Sequence, residues 1–314
     1  MRAYGVTQYG GPEALHEIDV PAEELGPEQV RIAVTAVAVS PTDTGVRAGQ
    51  RSDKDRAEEP GDVPGMDVAG VVAELGSGAD SDLEIGDRVV AVVQPSGSHG
   101  AYREDIVLPL GSVVRAPSNA SDAAASTLPM NALTARRALN LLDLRPGQTL
   151  AVTGGAGTLG GYIIQLAKAD GLTVIADAAE KDEELVRSFG ADRLVPRGDD
   201  VAEAIRKIVP EGVDGLADAS IQSEQVLPAV KDDGSVATFR GYKGDGTRGL
   251  HVHPVMVWDV AEDREMLSEL RDQAENGALT LRVAETLPAG QAAEAHRKLE
   301  SGGVRGRIVL DLTA

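Results

Sequence analysis

Gly155, Gly157 and Gly160 stand at G-x-G-x-x-G spacing within Leu150-Ala151-Val152-Thr153-Gly154-Gly155-Ala156-Gly157-Thr158-Leu159-Gly160-Gly161. Such spacing can hold a pyrophosphate when it joins a strand to a helix. Gly155 would permit the sharp turn, Gly157 the approach of phosphate to the backbone, and Gly160 the close lie of helix on sheet. The flanking residues supply that setting. Leu150 to Thr153 are strand formers, Leu159, Ile163, Leu166 and Ala167 recur at helical spacing, and Thr173 to Ala176 read as a second buried strand. The helix start offers unpaired N–H groups and a positive dipole end. Gly155, Ala156, Gly157, Thr158, Leu159 and Gly160 are therefore expected to bind a dinucleotide. Asp177 follows Gly160 by 17 positions, near where an acid takes the adenosine ribose hydroxyls.

Positioning that loop requires a sheet, and the composition suits one. At 314 residues the chain is long enough for two domains, and 42% hydrophobic with only 3% aromatic residues means a core of Val, Leu, Ile and Ala. The formal net charge of −20 opposes nucleic acid and anionic membrane as partners. It would also repel anionic ligands unless cations gather at the cofactor mouth. With no cysteine there is no disulfide, thiolate zinc ligand or thiol nucleophile. Met1 to Val6 has no apolar signal region and no apolar run approaches a membrane span, so a cytoplasmic location is expected.

Along the chain, the first hundred residues read as short strands and turns, an all-β, barrel-like module. Val30, Ile32, Val34 and Ala36 alternate as a half-buried strand should. Val37 to Gly49 reads as a strand end passing into a short polar turn, 50–62 as an acidic loop, and Gly100-Ala101-Tyr102 as a strand start. Ser121 or Asp122 can cap a helix, Leu128-Pro129 breaks it, and a second helix is expected from Leu133 to Leu142. Beyond the glycine loop, helices at 183–189, 201–208 and 226–230 alternate with strands at 194–195, 215–217 and 235–239, which implies a parallel doubly wound sheet. Leu250 to Val257 is a late strand suited to a sheet edge and to homodimer pairing. Helices at 261–275 and 289–299 precede a stretch, 302–310, that closes with a strand.

Several stretches together resemble the zinc-independent quinone oxidoreductases of the medium-chain dehydrogenase/reductase superfamily. They are Ser40-Pro41-Thr42-Asp43 with Arg47 and Gly49, Pro64-Gly65-Met66-Asp67-Val68-Ala69-Gly70, Gly86-Asp87-Arg88-Val89, Leu128-Pro129 with Thr134-Ala135, the glycine loop running into Gln165 to Lys168, Gly190-Ala191-Asp192, and Gly306 to Leu310. The resemblance implies an α/β fold: a GroES-like β-barrel domain over 1–118 plus 259–314, with a Rossmann dinucleotide-binding domain, 119–258, inserted. It also implies an NAD(P)H-dependent reductase passing hydride to a quinone or other α,β-unsaturated carbonyl compound. An enoyl-thioester reductase or secondary-metabolite tailoring reductase, and a non-catalytic NAD(P)H-binding protein, are the alternatives.

Departures from that family bear on the chemistry. Zinc-dependent relatives hold their metal with cysteine and histidine, and this chain has no cysteine, so a conjugated acceptor is favoured over a simple ketone. Quinone reductases commonly carry asparagine where Ser40 stands and often tyrosine where Gly45 stands, which implies less polarising power and a wider pocket. Ser40, Thr44 and Tyr102 are the replacement donors. The run Val174 to Lys181 resembles an NADPH-using branch, with Lys181 as phosphate cation, whereas Asp177 favours NADH. The balance leans to NADPH. Thr134 matches a position near nicotinamide and pyrophosphate, and Arg240 and Gly241 follow the last central strand, where ligands bind. Asp67 and Arg88 read as barrel-integrity residues, and His99, His251 and His253 lack metal spacing.

Overall fold

The computed structural model describes residues 1–50, 56–78 and 82–314. Two compact units emerge: Met1–Met130 with Val260–Gly277 and Leu281–Ala314, and Asn131–Asp259 with Ala278–Thr280.

The first unit begins with β1 (Arg2–Gly5) and β2 (His16–Asp19), an antiparallel pair. There follow β3 (Gln29–Ala38), helix α1 (Pro41–Arg47), β4 (Asp67–Leu75), β5 (Arg88–Val92), β6 (Asp105–Pro109), β7 (Val113–Arg115) and the short α2 (Asp122–Ala125). Strand β3 is the hub. It pairs with both β4 and β6, and its Val30, Ile32, Val34 and Ala36 are buried on one face as the two-residue period demands. Residues 40–49 correct the expected polar turn. Ser40 is extended at the N-cap and Pro41 occupies the first turn, where its missing N–H costs nothing, so seven residues form a helix. Strand β6 likewise starts at Asp105, because the Ala101 and Tyr102 N–H groups go to the Gly65 and Pro64 carbonyls instead of to a ladder. Of the loop 50–62, residues 51–55 lie outside the described residues.

The second unit carries most of α3 (Pro129–Leu142), which starts earlier than expected because Pro129 opens the helix instead of blocking it. Then come β8 (Thr149–Thr153), α4 (Thr158–Ala169), β9 (Thr173–Ala178), α5 (Glu183–Ser188), β10 (Arg193–Pro196), α6 (Val201–Ile208), β11 (Val213–Asp218), β12 (Val230–Thr238) and β13 (His251–Pro254). Their order in one parallel sheet is β10-β9-β8-β11-β12-β13, a doubly wound Rossmann arrangement whose order reverses between β8 and β11. The helix expected at 226–230 is a 3₁₀ helix over Ser223–Ala229, where Pro228 withholds an N–H.

The chain returns to the first unit through α7 (Arg264–Glu275), capped by the Asp263 side chain at the Met266 N–H, then β14 (Val283–Pro288), α8 (Ala292–Glu300) and β15 (Arg307–Asp311). Strand β15 pairs antiparallel with β3, which puts the two chain ends in one seven-stranded sheet.

Candidate active site

At the switch point of the second unit, the glycines divide their work differently from expectation. The turn belongs to Gly154, at φ +71°. Gly155 is needed for closeness, since a Cβ there would lie 2.9 Å from the Asp177 carbonyl oxygen. A Cβ on Gly160 would lie 2.3 Å from the Gly154 carbonyl oxygen, so only glycine lets α4 start this close to the loop. Gly157 sits at the N-cap of α4 with no side-chain cap, leaving the helix start at Thr158 and Leu159 for a ligand's oxygens. Ala156 is buried beside them.

Asp177, on β9, is buried. Its Oδ1 accepts the Gly155 N–H at 2.9 Å, while Oδ2 is buried without a partner among the described residues. Burial lifts its carboxyl above the usual range, against the pull of the Gly155 and Gly154 N–H groups and of Arg197. A ribose hydroxyl is the donor that would satisfy Oδ2, and a 2′-phosphate would meet a like charge. The cradle thus fits a dinucleotide. Across the switch point, Thr153 donates to Asp218 at 2.8 Å, which ties β8 to β11. Thr134 is buried in α3. Lys181 is exposed in a 3₁₀ turn after β9, and Arg240 and Gly241 are exposed beyond β12, in a loop held by the Thr238 hydroxyl on the Tyr242 carbonyl at 2.7 Å.

In the first unit, two of the three proposed donors meet in one buried cluster. The Ser40 N–H donates to Asp43 Oδ2 at 2.7 Å and the Tyr102 hydroxyl to the same oxygen at 3.1 Å. Arg307, on β15, gives one nitrogen to Ser40 Oγ at 2.7 Å and to Asp67 Oδ2 at 2.9 Å. The Met130 N–H donates to Asp67 Oδ1 at 2.7 Å. Thr44 stands apart, half-buried, its hydroxyl donating to the Pro41 carbonyl at 2.8 Å. The space over Gly45 is not open. Gln50 fills it, with its Oε1 2.8 Å from where a Cβ would stand.

His296 is the residue sequence reasoning missed. It lies fully buried on α8, 3.2 Å by Nε2 from the Tyr102 hydroxyl, and 3.5 Å by Nδ1 from Arg47, which pairs with Glu300 at 2.7 Å. The available signal was its place at i, i+3, i+4 with Ala292 and Ala295, on the stripe that packs inward. Burial, and then Arg47, push its imidazole down to about 3, so the ring is neutral at working pH. Among the described residues no group of three His, Asp or Glu side chains could hold a metal. Asp67 and Arg88 serve the barrel, the latter through Asp122 at 2.6 Å, and His99 pairs with Glu23 at 2.8 Å.

A glycine cradle at the reversal of a doubly wound sheet, joined to a β-domain closed by both chain ends, defines a nucleotide-dependent oxidoreductase scaffold. Residues 26–118 match the alcohol dehydrogenase GroES-like domain, and 189–310 match the zinc-binding dehydrogenase family model. The NADPH-dependent alkenal/one oxidoreductase of Arabidopsis thaliana is 30% identical over 320 residues, covering 99% of this chain and 79% of that protein. The quinone oxidoreductase of Lama guanicoe is 28% identical over 330 residues, 99% of this chain and 97% of its own. A mycobacterial structure solved with NADPH is 26% identical at a TM-score of 0.85, covering 99% of this chain and 100% of that one. The chain belongs to the medium-chain dehydrogenase/reductase superfamily and, within it, to the oxidoreductases of quinone reductase type.

Proposed function

We propose that this protein is a zinc-independent reductase that uses NADPH or NADH to deliver hydride to a quinone or another α,β-unsaturated carbonyl compound. The observation that carries the reading is the glycine cradle with the unsatisfied Asp177 oxygen at its flank, in a chain of this family. When bound, the dinucleotide supplies the hydride at its nicotinamide ring. The chain's part is to hold and orient: the α4 start takes the diphosphate and Asp177 takes the ribose. A conjugated acceptor spreads the arriving charge over its own framework, which suits a donor set of hydroxyls. Of these, Ser40 is the best placed to bond the acceptor. Tyr102 commits its proton to Asp43 and Thr44 to Pro41, whereas the Ser40 hydroxyl proton has no acceptor among the described residues.

Relatives named for NADPH support that cofactor and the Asp177 carboxylate supports NADH, so the proposal is a site that takes both, with Asp177 penalising NADPH. We further propose a homodimer through β13, which ends the six-stranded sheet and, among the described residues, pairs only with β12. Initial rates with NADPH and NADH, each against phenanthrenequinone and a simple enone, test the activity. Turnover with at least one pair is expected. Cofactor that binds yet is not consumed with either acceptor would overturn the reading.

A further inference from the structure

Strand β13 ends the six-stranded sheet, and its backbone decides which side chains an added strand would meet. The Val255 N–H donates to the Thr238 carbonyl at 2.8 Å, and Val252 and Pro254 stand level with Val236 and Thr238 of β12. Residues that bond one neighbour alternate with residues that face the other side. His251, His253 and Val255 therefore turn their backbone groups to β12, while Leu250, Val252 and Pro254 turn theirs outward. Pro254 has no N–H to offer, and the Leu250 N–H is given to the Thr247 carbonyl at 3.2 Å. The Val252 N–H is what remains to donate along this edge.

A second copy of this chain suits the edge. Leu250 to Val257 carries no charge while its two histidines are neutral, in a chain of net charge −20, so two copies can meet here without bringing carboxylates together. Related by a twofold axis, the two strands run antiparallel. Outward residues must bond outward residues, so Val252 pairs with Val252, Pro254 or Leu250 of the second copy. Each of these registers makes one symmetric pair of ladder bonds. In each, the residues between fall at the non-hydrogen-bonded positions, where Cα atoms approach to about 4.5 Å. The first register sets His251 against His253, the second His253 against His253, and the third His251 against His251. Imidazole meets imidazole whichever forms.

The two histidines share one face of the strand, opposite Val252, which packs on the core of the sheet. On β12, Lys231 pairs with Asp214 at 2.6 Å and Asp232 with Arg248 at 2.8 Å, and Asp233 stands beside them in sequence. The loop after β12 carries Arg240, Lys243 and Asp245, the last bonded to the Thr247 hydroxyl at 2.6 Å. Burial, and then the charge of His251, hold the His253 imidazole below its ordinary 6.5.

We propose that His251 and His253 gate the joining of two copies at the β13 edge, which holds while the imidazoles are neutral and parts when they are protonated. The proposal rests on the dimer reading. Neutral rings stack or share one hydrogen between two nitrogens, whereas opposed imidazolium ions repel across a ladder. Separate copies therefore bind more protons than the pair, and acid draws the equilibrium toward them.

Sedimentation equilibrium on the full chain tests this. Wild type should be dimeric at about pH 7.5, and its dissociation constant should rise about tenfold or more at about pH 5.5, a unit below the ordinary imidazole value. His251→Gln with His253→Gln keeps polar side chains but no titrating ring. That variant should match wild type at the higher pH and change by less than about threefold at the lower. Val252→Pro removes the outward N–H and should be monomeric at both. Wild-type constants within about threefold of each other, or a double variant that still shifts about tenfold, would overturn the gate. The wild-type comparison decides alone should the double variant not fold. A wild type that is monomeric at the higher pH, or a dimer that survives Val252→Pro, sinks the dimer reading and the gate with it.

Discussion

Arg307 serves four acceptors from one buried side chain: the carbonyls of Val39 and Ala38, Ser40 Oγ and Asp67 Oδ2. Its value lies less in the ion pair than in what its loss would strand, a fully buried Asp67 carboxylate. Arg307→Ala should lower the unfolding free energy by about 3–5 kcal/mol, read from urea denaturation. Asp43 gives a pH-dependent counterpart. Its folded pKa lies above the ordinary 3.8, so the folded chain keeps a proton that the unfolded chain has released. The stability it contributes is whole in acid and drains away as pH rises from near 3.8 to about 7. Asp43→Asn has no proton to lose, and its melting temperature should therefore gain on wild type between about pH 5 and about pH 8. At the cofactor flank, Asp177→Ser removes the charge that a 2′-phosphate would meet. Its ratio of NADPH to NADH affinity, measured by calorimetry, should rise by about tenfold, a change of about 1.4 kcal/mol.

Among the elements, α4 is tightly placed, because its first turn lies against the Gly154 carbonyl. Gly160→Ala should push the helix off the loop, weakening NADH binding more than tenfold and costing about 1–3 kcal/mol of stability, read by calorimetry and by thermal melts. Elements with strong periodicity were legible in the sequence: α6 spans Val201–Ile208 as expected, and β8, β9 and β11 stand where their apolar runs placed them, whereas β12 begins at Val230, in the expected helix 226–230, and not at 235. Helix α1 was not legible, because its seven residues are too short to show a period and its polar Thr42, Asp43 and Thr44 read as a turn. The glycine cradle could be read from spacing, although the positive φ falls on Gly154 and not Gly155. The Asp43–Tyr102–His296 cluster could not, since its members come from α1, the segment before β6 and α8, and only the fold brings 43, 102 and 296 together.

For the whole molecule, the net charge of −20 sets a self-repulsion that salt screens. Raising salt from about 0.05 M to about 0.5 M should raise the melting temperature by several degrees, measured by calorimetry. The proposed dimer predicts a light-scattering mass near twice the 32.6 kDa of one chain. Among the described residues no helix is long and apolar enough to cross a membrane. The account as a whole comes down to hydride delivered to an electron-poor acceptor, and following the label in a single reaction tests this most directly. With nicotinamide cofactor deuterated at C4 on each face in turn and a simple enone as acceptor, one face should place its deuterium on the β-carbon of the saturated product. Saturated product free of deuterium from either face, or no product while cofactor is bound, would contradict it.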